Sequence, residues 1–238
     1  MKKALLALLL AIAVGAGVLY AFPSTLLATA QYVESARARL SSNSLQVDDL
    51  NITYYEGGPE KAQTILLIHG FGADKSNWPR FARFLTKDYH VIAVDLPGFG
   101  DSSKPANISY DVGTQAERLA DFMREQGIGR FHVVGNSMGG HIAALLAARH
   151  PQEVLSVALF DNAGVTAPHQ SELFERLLKG GDNPLVLRSV DDFPALLDFV
   201  FVQKPPLPAR LRDYLAERSL ERSAFNGMVF QQLRERYI

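Results

Sequence analysis

Residues 131–149 read Phe-His-Val-Val-Gly-Asn-Ser-Met-Gly-Gly-His-Ile-Ala-Ala-Leu-Leu-Ala-Ala-Arg. An apolar run, Phe131 to Val134, leads directly into Gly135-Asn136-Ser137-Met138-Gly139, and an alanine- and leucine-rich helical stretch follows to Arg149. A G-x-S-x-G pattern alone carries little; between a strand and a helix it predicts a strained turn with the serine at its apex. Gly135 and Gly139 are then small because backbone and side chains crowd the corner. Ser137 projects its hydroxyl at the C-terminal edge of a sheet, where the Met138 N–H and the positive end of the helix can face a developing oxyanion.

Working outward, Thr64 to Ile68 is an apolar run without alternation, the mark of a strand buried on both faces. Short apolar strands (Val91 to Val94, Phe131 to Val134, Val154 to Phe160) alternate with helical stretches (Asn77 to Thr86, Val112 to Gln126, Ser137 to Arg149). That alternation predicts an α/β fold with a mostly parallel sheet covered by helices. Upstream, Leu45 to Val47 and Ile52 to Tyr55 read as a hairpin around Asp48 and Asp49. Gln31 to Arg39 reads as a polar connector and Ser41 to Ser44 as a solvated loop. Beyond Asp161 the pattern is helical only: Ser171 to Lys179, Asp191 to Val202, Pro208 to Arg218 and Ala224 to Arg236. The expected organisation is an N-terminal segment over 1–30, a linker over 31–44, an α/β core over 45–161 and a helical cap over 162–238.

A chain of 238 residues, 47% apolar and 21% charged, is long enough for one sizeable core. Its formal net charge of −1 and the lack of a basic run argue against nucleic acid as a partner. With no cysteine, disulfides and thiolate chemistry are excluded; no metal or cofactor is implied, for want of His-x-x-x-His or a carboxylate cluster. At the N-terminus, Lys2 and Lys3 precede an uncharged run from Ala4 to Phe22. As a helix this run spans roughly 28 Å at about 1.5 Å per residue, close to a bilayer core of about 30 Å. An uncleaved membrane anchor and a signal peptide cleaved after Ala28-Thr29-Ala30 both fit, and both put the folded part outside the cytoplasm, membrane-anchored or else secreted or periplasmic.

The order strand, His69-Gly70-Phe71-Gly72, Asp95-Leu96-Pro97-Gly98-Phe99-Gly100, then the Ser137 turn resembles the α/β-hydrolase superfamily over about Leu45 to Phe160. Asn136, the run Leu159 to Gly164 and the apolar N-terminus are most similar to bacterial serine lipases and carboxylesterases. The resemblance implies an ester hydrolase acting on a small-molecule or lipid ester through an acyl-enzyme on Ser137, with the Phe71 and Met138 N–H groups as oxyanion hole. His69 and Asp95 are expected to shape their loops. A C–C hydrolase or acyltransferase of the same fold, or a non-catalytic membrane-tethered scaffold, are the alternatives.

In this family the triad runs Ser, acid, His along the chain, and only His141, His150 and His169 follow Ser137. None has the expected setting, a loop after a late strand. The resemblance therefore implies that the catalytic His is not in this chain, that the C-terminal part of the fold is missing after Ile238, and that the chain as given is nearly inactive. Asp161 is a possible acid, with a turn or cap role at the strand end as the alternative. The same reading expects the last strand to expose an apolar edge.

Overall fold

The computed structural model describes residues 2–165, 168–169 and 171–237. Six strands form one sheet in the order β1-β2-β4-β3-β5-β6: β1 (Leu40–Val47), β2 (Leu50–Gly57), β3 (Thr64–Ile68), β4 (His90–Val94), β5 (Phe131–Asn136) and β6 (Val154–Phe160). The first two pairings, β1 with β2 and β2 with β4, are antiparallel; the remaining three are parallel. The mostly parallel sheet expected from the alternating pattern is thus present.

Every residue of β3 and β4 is buried, and the period of two in a strand divides them between two cores. Leu66, Ile68, Ile92 and Val94 join Leu119, Phe122 and Met123 of α4 (Val112–Glu125) and Ile142 and Leu146 of α5 (Met138–Arg149). Ile65, Leu67, Val91 and Ala93 pack on the other face with Trp78 and Ala82. Helix α4 starts where the Asp111 carboxylate accepts the Thr114 N–H at 3.1 Å, a side-chain N-cap.

Two expectations fail. The connector and loop over 31–44 are instead the end of α2 (Pro23–Arg37) and most of β1. Ser41 to Ser44 pair with Glu56 to Thr53, so their backbone groups are satisfied while polar side chains face solvent from an edge strand. The helix expected from Asn77 to Thr86 is a single 3₁₀ turn, Lys75–Asn77, a four-residue α3 (Pro79–Ala82) and turns to Asp88. Pro79 has no N–H to give the preceding turn, so helical structure stops and restarts there.

The chain divides into two compact units, Met1–Val33 with Ser171–Ala224, and Glu34–Gln170 with Phe225–Ile238. The first holds α1 (Lys2–Ala21), α6 (Glu172–Leu178), α7 (Phe193–Val200) and α8 (Ala209–Glu221). In it Leu187, Phe193 and Ala216 form a small buried cluster. The second holds the sheet and most of α9 (Ser223–Tyr237), whose Val229 and Leu233, four residues apart, are buried in the sheet's core.

The N-terminal apolar run is the helix α1, with Leu5, Leu6, Leu9, Leu10 and Val14 exposed. The side chains of Lys2, Lys3 and several further α1 positions lie outside the described residues. Among those described, no helix is long and apolar enough to cross a membrane.

Candidate active site

Strand β3 is flanked by β4 on one side and β5 on the other, while the chain passes from β3 to β4 before returning to β5. The sheet thus changes winding direction between β3 and β5, and the crevice beyond their C-terminal ends is where open α/β sheets bind ligands. Two loops meet there, His69–Asp74 after β3 and the Ser137 turn after β5.

Ser137 sits between β5 and α5 at φ 54°, ψ −118°, a conformation that costs a residue with a side chain on the order of 1–3 kcal/mol. The turn is over-determined from three sides. Its N–H donates to Phe160 O at 2.9 Å, and its carbonyl accepts from Ala163 N at 3.0 Å and Gly140 N at 3.0 Å. A Cβ on Gly135 would overlap the Gly139 carbonyl, and one on Gly139 would overlap the carbonyls of Ile68 and His69. A Cβ on Gly70 would lie 3.2 Å from Ser137 Cβ, so the loop after β3 lies directly against Ser137. Asn136 Nδ2 shares the Phe160 carbonyl at 3.2 Å.

Among the described residues, no protein acceptor takes the N–H of Phe71 or of Met138. Met138 opens α5, where N–H groups have no partner within the helix. Two unengaged amides on loops that meet at Ser137 are the raw material of an oxyanion hole.

The loop after β3 is held by buried polar groups. His69 is fully buried; its Nε2 accepts from Leu96 N–H at 3.0 Å, so the ring proton is on Nδ1, which donates to Gly70 O at 2.8 Å. Burial holds its pKa below the ordinary 6.5 and the ring stays neutral. Asp95, also fully buried, accepts from Lys75 N (2.6 Å), Lys75 Nζ (2.7 Å), Asp101 N (2.8 Å) and Thr53 Oγ1 (2.8 Å). Burial opposes its ionisation, but the Lys75 ammonium and the N–H donors outweigh it and hold the carboxyl below its usual range. The expected loop-shaping roles of His69 and Asp95 match these contacts. The composition and motifs did not single out Lys75, a lysine in a polar loop that is 5% exposed.

Asp161 ends β6 at φ 42°, with its side chain exposed. Of the three later histidines, His150 caps the end of α5 and its Nε2 meets Glu117 at 2.9 Å. His141 is half-buried, its ring against Gly164, and burial lowers its pKa. His169 lies in a bend. Among the described residues strand β6 pairs with β5 alone, and Val157, Leu159 and Phe160 are exposed, as expected of an apolar edge. Among the described residues no His, Asp or Glu cluster could hold a metal ion.

A family model described as the alpha/beta hydrolase fold matches residues 63–209. Lipase 1 of Psychrobacter immobilis is 37% identical over 186 residues, covering 76% of this chain and 57% of its own length. Lipase 3 of a Moraxella strain is 35% identical over 200 residues, covering 81% and 63% respectively. The chain thus spans about three-fifths of the length of these curated relatives. Among solved structures, a membrane phospholipase A described as a bacterial virulence factor is 64% identical, with a TM-score of 0.88. That match covers 100% of this chain and 76% of the other.

Proposed function

This chain belongs to the α/β-hydrolase fold family, and we propose that it is the nucleophile-bearing part of a serine ester hydrolase acting on lipid or other apolar acyl esters. The observation that carries the reading is Ser137 held at a strained turn against Gly70, with the unengaged amides of Phe71 and Met138 on the two loops that meet there. The relatives named lipases and the phospholipase neighbour support ester hydrolysis, and a lipid substrate is the extension proposed here.

In the proposed reaction Ser137 Oγ attacks the ester carbonyl, the Phe71 and Met138 N–H groups hold the oxyanion, and collapse expels the alcohol to leave an acyl-Ser137 that water hydrolyses. The base is a histidine supplied from outside residues 1–238, and Asp161 is one candidate for the acid that orients it. Removing a triad member lowers kcat by about 10⁴ to 10⁶ in a comparable enzyme; residues 1–238 alone are therefore proposed to turn over slowly. The exposed apolar side chains of α1 support a further assignment, attachment to a membrane, and Lys2 and Lys3 ahead of that run favour the catalytic part outside the cytoplasm.

The test is labelling by a fluorophosphonate alongside hydrolysis of p-nitrophenyl butyrate, in the full-length gene product and its Ser137→Ala variant. Loss of both signals in the variant is expected. Hydrolysis that survives Ser137→Ala would place the chemistry elsewhere, and an unlabelled, inactive parent would favour a non-catalytic scaffold.

A further inference from the structure

The five-residue loop between His69 and Lys75 carries the Phe71 amide yet contains two glycines, one of them Gly72 at φ 73° with nothing within 4 Å of where a Cβ would stand. Nothing packs on Gly72, and the Phe71 ring is held edge-on by Phe99 and Phe230. The two ends of the loop are held by polar groups. At the near end the His69 ring meets Leu96 N–H. At the far end Asp74 accepts from Ser76 N at 2.8 Å, and Lys75 grips Asp95 through both its backbone N–H and its ammonium. Both pins land on consecutive residues, Asp95 and Leu96, just past the end of β4. The Lys75 ammonium reaches Asp101 as well, at 2.7 Å, and lies 5.3 Å from the centre of the Tyr55 ring.

We propose that Lys75 is a positioning residue for the oxyanion site: by fixing the far end of the 69–75 loop to Asp95, it sets the direction of the Phe71 N–H toward the carbonyl that Ser137 attacks. The inference rests on the ester-hydrolase reading above. A buried ion pair adds little net stability over an apolar pair of similar volume, but it is directional, and direction is what an oxyanion donor requires. Three further donors, the Lys75 and Asp101 amides and the Thr53 hydroxyl, satisfy the Asp95 carboxylate. Burial alone would lower the Lys75 pKa; Asp95 and Asp101 raise it above its ordinary value, so the ammonium stays charged across the working pH range.

The test uses the full-length protein with Lys75→Met, Lys75→Arg and Asp101→Asn, and reads kcat and KM for a short p-nitrophenyl ester. Each rate is divided by the fraction of Ser137 titrated with a phosphonate, so that misfolded molecules drop out. Lys75→Met is expected to lower kcat per titrated site by about ten- to a hundredfold, short of the 10² to 10³ for deleting a donor, with KM within about twofold. Asp101→Asn, which leaves Asp95 paired, is expected to stay within about threefold. A Lys75→Met enzyme with fewer titratable sites but an unchanged kcat per site would make Lys75 merely structural and overturn the proposal. Should Lys75→Met fail to fold, Lys75→Arg decides: the longer, planar cation keeps the charge but not the geometry, and an unchanged kcat per site overturns it equally. If the parent itself neither titrates nor turns over, the ester-hydrolase reading fails, and this one with it.

Discussion

The two compact units differ most in what their interiors are made of. Around the sheet, Leu66, Ile68, Ile92 and Phe131, on strands paired on both sides, and Leu119, Phe122 and Met123 of α4 are fully buried in one cluster. In the helical unit, among the described residues, only Leu187, Phe193 and Ala216 make a buried cluster, with Leu196, Leu197, Leu215 and Leu220 partly covered around it. The difference teaches where fixed geometry is available. An oxyanion donor must be held in place by a preorganised frame, and the interlocked sheet supplies one; the smaller core around Phe193 leaves fewer buried contacts to hold its helices.

The comparison can be broken most severely at the turn. Gly135→Ala puts a methyl into the Gly139 carbonyl and against Gly140 N, both backbone atoms that cannot yield without unseating α5. A loss of more than about 4 kcal/mol is expected, read as failure to give a cooperative urea transition. Next in size are matched truncations of the two cores. Leu66→Ala, at 0% exposure beneath both neighbouring strands, is expected to cost about 3–5 kcal/mol, and Leu187→Ala, where helices can close over the gap, about 2. Urea midpoints followed by near-ultraviolet circular dichroism and by proteolysis within 171–224 separate them, and equal losses would erase the distinction.

The smallest effect expected is that of pH. Because the folded pKa of His69 lies below its ordinary 6.5, the unfolded chain takes up a proton that the folded sheet refuses. Stability of the sheet unit is therefore full above pH 6.5 and declines as the pH falls from there towards the folded pKa. Asp95, also depressed, adds a second loss as the pH falls below its ordinary 3.8. In the helical unit the shifted carboxyl is Asp192, held down by the Arg188 and Ser189 N–H groups at the surface, and its contribution is lost only in that same acid range. Urea midpoints between pH 8 and 5 should fall for the sheet transition and stay level for proteolysis within 171–224.

What could be seen in the sequence follows the same division. Thr64–Ile68 was legible because a strand with neighbours on both sides needs continuous apolar residues, Val154–Phe160 because its run is apolar although it stands at the sheet's edge, and the Ser137 turn because glycines on both sides are a steric necessity. Ser41 to Ser44 hid a strand, since an edge strand's partner supplies its order while its side chains remain polar. Lys75 was invisible for a related reason. Its partner Asp95 stands 20 residues away, and only the adjacency of β3 and β4 brings the two together. The spacing of Phe225, Val229 and Leu233 did carry a signal that α9 belongs with the sheet, but a helical cap and a core helix write the same pattern.

The backbone of Ser137 has an evolutionary consequence. At φ 54° glycine would be more comfortable than serine, so on grounds of folding alone drift favours Ser137→Gly at this position. A lineage released from nucleophilic chemistry would gain stability by that single change, and the serine is therefore among the first residues such a lineage should shed. On the proposed mechanism, a strained serine between two crowding glycines is a position that selection must keep renewing, which would make it a sensitive recorder of continued use.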